Sequence, residues 1–428
     1  MTSALLTDHY ELTMVDAARH SGRASRRSVF EVFARRLPGG RRYGVVAGTA
    51  RLIEEIQAFR FGDDELAFLD NNNVVGAETL DWLAEYRFRG TIRGYREGEV
   101  FFPHSPILQI EGTFAEACLL ETLVLSVLNH DSAVASAASR MVQSAGGRPL
   151  IEMGSRRTSE HAAWAAARAA FLVGFSHTSN LEAGRRFGIP TLGTAAHAFT
   201  LLHDSEREAF EAQIATLGTD TTLLVDTFDI PKAVEAAVAV GGTNLGAVRI
   251  DSGDLSVVVQ QVRQQLDRLG AHSTRIVVTN DLDEYTIAAL QASPVDAYGV
   301  GTSVVTGSGH PAAGLVYKLV ARHDDEGQWV SVQKTSAGKA NAGGEKTATR
   351  VLSGGVATHE RVSTGGMPIE NGRALLVDYV VDGEVVDTRE HSLERSREHH
   401  KSAIAELPAQ AFRLAAGEPA IPTVFHQG

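Results

Sequence analysis

Between positions 149 and 300 the chain repeats one pattern: a short apolar run, a polar or glycine-containing stop, then a stretch with helical spacing. The runs lie at 149–153, 172–175, 189–192, 221–225, 247–250, 275–278 and 297–300. Alternation at this spacing predicts parallel strands joined by crossover helices. The stops are Gly154-Ser155-Arg156-Arg157, Ser176-His177-Thr178-Ser179-Asn180, Gly193-Thr194, Asp226-Thr227-Phe228-Asp229, Asp251-Ser252-Gly253-Asp254, Thr279-Asn280-Asp281 and Gly301-Thr302. Polar groups at the carboxyl ends of parallel strands converge on one face, the arrangement of an α/β-barrel active site. A doubly wound open sheet is the alternative, and it too binds ligands beyond the strand ends.

The flanking segments read differently. Thr7-Asp8 suits a helix N-cap, and Tyr10, Met14 and Ala17 share a face that could dock the first helix on the core. The 28–34 segment alternates as a strand does. Arg35, Arg36, Arg41 and Arg42 surround Pro38-Gly39-Gly40, a turn read as a solvated loop in preference to an anion site. Positions 45–84 are helical in period, broken at Gly62 and at Asn71 to Asn73, and 91–112 holds short strands. The small, apolar 114–144 segment suits buried helices. After Gly314 the pattern is β-like again, with a surface loop or hairpin expected at 334–349 and a charged, solvated helix at 390–401. Three ranges result: an α+β domain at 1–129, the repeating α/β domain at 130–312, and a β-rich region at 313–428 packing back on the first.

Composition narrows the function. The chain has 428 residues and a net charge of -12, which does not support a generally basic nucleic-acid surface. The single cysteine, Cys118, excludes an internal disulfide and any multi-cysteine metal site, and it fits a reducing cytoplasm. No basic leader precedes an apolar core, and no run is expected to approach transmembrane length, so a cytoplasmic location is expected.

The strand-end residues suggest an anionic, sugar-containing ligand. Arg156, Arg157 and Arg249 can pair with carboxylate or phosphate oxygens in bidentate fashion. Gly299-Val300-Gly301-Thr302 would expose backbone N–H groups and a hydroxyl to a phosphate. Asp251 and Asp254 flank a tight loop suited to a ribose diol, or to Mg2+ through water. His197 follows the 189–192 run. A histidine there is more often packed or solvated than catalytic, and its weight comes from nearby Asp226, which could hold one ring nitrogen. Walker A, His-Glu-x-x-His and Gly-x-Ser-x-Gly signatures are absent from the sequence.

These motifs resemble those of nicotinate phosphoribosyltransferases. Thr7-Asp8-His9-Tyr10, Glu152-Met153-Gly154-Ser155-Arg156-Arg157, Ser179-Asn180, Gly193-Thr194-Ala195-Ala196-His197, Asp226-Thr227-Phe228-Asp229, Arg249-Ile250-Asp251-Ser252-Gly253-Asp254 and Tyr317-Lys318-Leu319-Val320 occur in the family's order. The resemblance implies a type II phosphoribosyltransferase on an irregular, TIM-like α/β barrel, joining nicotinate to 5-phosphoribosyl-1-diphosphate for NAD salvage. It implies coupling to ATP, formally a ligase activity, with Mg2+ held through the substrate diphosphate and not by a protein motif. His197 matches the phosphorylated histidine, Asp226 the carboxylate that orients it, and Asp251 the ribose-side carboxylate. Tyr10, Met153, Ser179, Thr194 and Arg249 match nicotinate-site positions, with Tyr10 supplied across a homodimer interface. Arg156, Arg157, Ser252, Gly253, Asn280, Gly299, Gly301 and Thr302 match positions around the phosphoribosyl diphosphate.

Met153 departs from the family pattern, since many relatives carry Phe there. Ser179 bears on the choice of base. Nicotinamide enzymes have Asp at the matching position, and that carboxylate would repel nicotinate, so the acid is favoured. A quinolinate enzyme would need more cations and has no such histidine. A non-catalytic, nucleotide-sensing relative would be expected to lose the histidine or the strand-end charges, and both are present. A Schiff-base aldolase would need a strand-end lysine; Lys232 and Lys318 come nearest, and neither follows a clear strand end.

Overall fold

The structure, a computed structural model, describes residues 4–334, 342–364, 372–386 and 391–426. The chain forms two compact units, Met1–Ser136 with His310–Gly428, and Ala137–Gly309.

The first unit is built on an antiparallel sheet of seven strands in the order Trp329–Ser331, Leu315–His323, Arg27–Ala34, Leu108–Thr113, Thr91–Tyr95, Leu376–Val381 and Glu384–Val385. Strands from both ends of the sequence therefore share one sheet, with Phe30 opposite Leu319 and Ile92 opposite Val380. Arg27–Ala34 is buried at every position after Arg27, so it is a central strand and not a half-exposed one. The 334–349 stretch is not simply a surface loop. Positions 335–341 lie outside the described residues, whereas Lys346–Ser353 is a strand whose buried Lys346 Nζ lies 2.9 Å from both Glu31 carboxylate oxygens.

Four expectations for this unit change. His9–His20 has Asp8 at its N-cap but buries Glu11, Leu12 and Val15, which leaves Tyr10 and Met14 exposed instead of docked. The cationic turn at 35–42 buries Arg41 and leaves Arg36 exposed, so it is only partly solvated. Phe114–Ser144 is long and apolar enough to cross a bilayer, contrary to the expectation that no run approaches that length, although it is largely buried inside the protein as its composition suggested. The helix Leu393–Ala405 is amphipathic, burying Leu393, Ser396, His400, Ala403 and Ile404.

That last helix sits on the Gly98 turn. Gly98 has φ +88°, and a Cβ there would lie 2.5 Å from the Ser396 carbonyl oxygen. His400 Nδ1 is 2.8 Å from the Gly98 carbonyl oxygen, and burial holds this imidazole down to about 4 from an ordinary 6.5. Glu99 opposes that shift, while His399 and Arg397 add to it. The folded ring stays neutral where the unfolded one binds a proton, so stability is intact above pH 6.5 and falls as pH drops toward 4, by about 3 kcal/mol in all. His400→Asn keeps an N–H for Gly98 and is expected to flatten the decline of melting temperature across this window. Parallel declines in the two proteins would exclude His400 as the source.

The second unit holds a parallel sheet in the order His177–Thr178, Leu150–Glu152, Ala297–Val300, Arg275–Val278, Ala247–Ile250, Thr222–Leu224. Five of the seven expected runs are its strands. The 172–175 run instead closes the helix Glu160–Val173, and Gly174 at φ +131° turns the chain into His177–Thr178. The 189–192 run is not a buried strand: it makes a single parallel bridge, Thr178 to Thr191, and Leu192 is exposed. Gly188 is left-handed and Pro190 has no N–H to give a ladder.

This sheet is curled but open. Among the described residues no ladder joins His177–Thr178 to Thr222–Leu224. The segment from Thr191 nevertheless starts beyond one edge and delivers His197 to Thr227 beyond the other. Six residues, at most about 20 Å, and the His197–Thr227 side-chain contact would bridge the edges of a flat sheet, about 29 Å apart at roughly 4.8 Å per strand, only with the chain fully straight and no slack. The strands therefore form a half-barrel, with their carboxyl ends facing a common space.

Candidate active site

Six loops meet at the carboxyl edge because the strands are parallel and in register, with Val278 beside Ile250 and Val300 beside Glu152. At one end, Asp226, Thr227, His197, Asp251 and Arg249 come together. His197 opens the short helix His197–Leu201 and is partly exposed. Its Nδ1 lies 3.2 Å from Thr227 Oγ1, and its Nε2 lies 3.9 Å from both Asp226 Oδ1 and Asp251 Oδ2. Asp226 is thus beside the ring but beyond hydrogen-bond distance, and Thr227 makes the contact expected of the carboxylate.

Asp226 is held from elsewhere. Its Oδ2 accepts from the Asp251 N–H at 2.8 Å and the Ser252 hydroxyl at 2.7 Å. Its buried Oδ1 has no hydrogen-bond partner among the described residues. Ser252, expected to face a phosphate, spends its hydroxyl on this carboxylate. Asp254 and Asp229 serve as helix N-caps, accepting from the Ser256 and Lys232 N–H groups, so one oxygen of Asp254 is committed to its own helix.

Arg249 supplies the half-buried cation of the site. Its Nη1 donates to Thr194 Oγ1 at 3.3 Å, and its Nη2 is 4.0 Å from Asp251 Oδ2. Its buried Nε has no hydrogen-bond partner among the described residues. Burial lowers the pKa of this guanidinium, Asp251 and Asp226 pull it back up, and Arg156 lowers it further.

At the other end, Glu152 organises the Arg156-Arg157 turn. Its buried carboxylate accepts from Thr178 Oγ1 at 2.6 Å and from the Gly154 N–H, and burial raises its pKa. Asn180 donates to Ser155 Oγ at 3.0 Å while capping the helix Leu181–Phe187. The turn Ser155–Arg157 thereby presents Arg156 and Arg157 exposed at the edge, as is Ser179. Met153 lies against Gly299, where a Cβ would come within 2.7 Å of its sulfur and 2.6 Å of Thr279 Cγ2, so only glycine fits. Gly301 precedes Thr302–Val305, and Gly253 is left-handed at φ +86°. Asn280, half-buried, follows the Arg275–Val278 strand.

Tyr10 lies in the other unit, exposed on its helix, and Lys318 lies there too, in a strand beside Glu121. Lys232 is exposed in the helix Ile230–Gly241. Neither lysine occupies an end of the parallel sheet. Thr227, Thr279 and Glu152 carry contacts that the sequence reading left unassigned, although each lies within a motif it singled out. Their signal was a hydroxyl or carboxyl at the last turn of an apolar run.

A parallel half-barrel with arginines, carboxylates and a histidine at its carboxyl edge defines an α/β protein suited to an anionic ligand. Its sequence matches the nicotinate phosphoribosyltransferase (NAPRTase) N-terminal domain over residues 5–129 and the NAPRTase family over residues 149–364. It is 56% identical to nicotinate phosphoribosyltransferase pncB1 of Mycobacterium tuberculosis, covering 98% of this chain and 95% of that one. It is 36% identical to the Bacillus subtilis nicotinate phosphoribosyltransferase, over 82% of this chain and 73% of that one. The fold is similar to the crystal structure of human nicotinic acid phosphoribosyltransferase, with TM-score 0.83, 26% identity, and coverage of 98% of this chain and 97% of that one. The chain belongs to the nicotinate phosphoribosyltransferase family.

Proposed function

We propose that the chain catalyses transfer of a phosphoribosyl group from 5-phosphoribosyl-1-diphosphate to nicotinate, coupled to ATP hydrolysis, as a step of NAD salvage. The observation that carries this reading is the half-buried Arg249, tied to Thr194 and carrying a buried Nε–H with no partner among the described residues, in a chain of this family. A pyridine carboxylate supplies the planar acceptor that a guanidinium takes best. Ser179 places no negative charge nearby, which favours the acid over nicotinamide. Met153 offers the ring a thioether contact against Gly299.

Positive charge develops on ribose C1 as diphosphate leaves. Arg156, Arg157 and the backbone N–H groups around Gly301 and Thr302 receive the departing oxygens, with Gly253 and Asn280 beside them, while Asp251 holds the ribose. Mg2+ favours phosphate oxygens, water and one or two carboxylates, and the buried Asp226 Oδ1, without a partner among the described residues, suits that minor share. When bound, it would neutralise charge on the leaving diphosphate.

The two carboxylates beside Nε2 favour a proton there and leave the lone pair of His197 on Nδ1, beside Thr227. In this reading Nδ1 attacks the γ-phosphorus of ATP, the bond to the ADP oxygen breaks, and water later releases phosphate from the ring. The half-barrel is the open form of the barrel the family motifs imply. The exposed Tyr10 supports a homodimer in which it crosses to a partner's pyridine site, and the one buried thiol suits the cytoplasm.

The test is product formation from phosphoribosyl diphosphate and Mg2+ with nicotinate, nicotinamide or quinolinate offered separately, with and without ATP. Nicotinate mononucleotide from nicotinate alone, formed faster with ATP, is expected. No product from any of the three would favour a sensing relative.

A further inference from the structure

Asp251 is the group that the histidine and the arginine have in common. Its Oδ2 lies 3.9 Å from His197 Nε2 and 4.0 Å from Arg249 Nη2. Its Oδ1 accepts from Thr279 Oγ1 at 2.8 Å. Sheet register places that threonine: Val278 pairs with Ile250, and the Thr279 N–H donates to the Ile250 carbonyl at 3.1 Å, so the next residues of both strands are neighbours. Its methyl occupies the space left by Gly299, where a Cβ would come within 2.6 Å of Thr279 Cγ2. A β-branched side chain packed this way has one rotamer available, and here it aims the hydroxyl at Asp251.

We propose that Thr279 is a positioning residue that makes Asp251 the link between the phosphate-accepting histidine and the arginine that receives the pyridine acid. The inference rests on the function proposed above. A phosphoryl group on His197 adds about 1.5–2 negative charges and repels the Asp251 carboxylate. Pinned at Oδ1, the carboxylate can only pivot, and its free oxygen turns toward Arg249. That rotation carries the phosphorylation state of one residue to the ligand contacts of the other. Without the pin, the carboxylate can swing into solvent and the two halves run independently.

Thr279→Val keeps the shape that packs on Gly299 and removes the hydroxyl; Thr279→Ser restores the hydroxyl without the methyl; Thr279→Ala is a smaller variant with the same expectation as Val. The readouts are ADP formed per mononucleotide formed, and the ratio of transfer rates with and without ATP. A fold defect alone leaves the first ratio unmoved. Loss of a hydrogen bond to a charged group should raise ADP per mononucleotide about tenfold in Thr279→Val, with the ATP acceleration falling toward unity and Thr279→Ser near wild type. Wild-type coupling in both Thr279→Val and Thr279→Ala would overturn the proposal. A wild-type enzyme that forms nicotinate mononucleotide without acceleration by ATP would overturn the ATP coupling and this inference together and leave the transfer activity standing, and only the wild-type arm reports that outcome.

Discussion

His197→Ala is expected to lower ATP hydrolysis by at least about a thousandfold and to leave a slow, ATP-independent formation of nicotinate mononucleotide. The asymmetry follows from geometry. His197 touches Thr227 and faces two carboxylates, whereas the groups assigned to the sugar and the base are held by other contacts: Asp251 by Thr279, Arg249 by Thr194, and the Arg156-Arg157 turn by Glu152. Removing the imidazole takes away the phosphate acceptor and leaves those groups in place. Nicotinate and phosphoribosyl diphosphate should therefore still bind and react, without the acceleration that ATP provides. Incubation with γ-labelled ATP should give an acid-labile label on the wild type and none on the variant. Undiminished ATP turnover in His197→Ala would sink the phosphate-carrier role.

How much of this was legible in the sequence depended on length and terminators. Ala247–Ile250, Arg275–Val278 and Ala297–Val300 coincide with their apolar runs, because an Asp, Thr or Gly ends each run where the ladder ends. The 172–175 run failed because four apolar residues fit the end of a buried helix as well as a strand, and Glu160–Val173 claimed half of them. Lys346 failed for a different reason. Its burial depends on Glu31, more than three hundred residues away, and no local pattern reports such a partner. The candidate site shows the same division. Charged residues at strand ends could be named from the alternation alone, but which group each one holds could not. Asp226 looked like the partner of His197, yet the fold gives Thr227 the contact and turns Asp226 toward Ser252 and the Asp251 backbone, since loops from adjacent strands meet only once the sheet is assembled.

The other large effect is expected at Arg249. Its Nε is buried without an acceptor among the described residues, and its Nη2 comes no closer than 4.0 Å to the Asp251 carboxylate. A buried donor left open in this way is costly unless a ligand fills it, and nicotinate brings the missing acceptor. Arg249→Ala should cut kcat/KM for nicotinate by about a hundred- to a thousandfold, equivalent to about 3–4 kcal/mol, mostly through KM. Two effects add. The planar pairing is lost, and Asp226 with Asp251 is left to repel a second anion without the guanidinium beside them. Arg249→Lys should recover only part of the loss, because an ammonium group cannot reach Thr194 and the pyridine carboxylate in the same plane. Nicotinamide separates this from a packing defect. It carries no charge, so its slow reaction should change far less, and the preference for the acid should collapse in the variant. Steady-state rates on the two bases decide the matter: equal losses on both would mean that Arg249 supports the sheet edge and does not read the carboxylate.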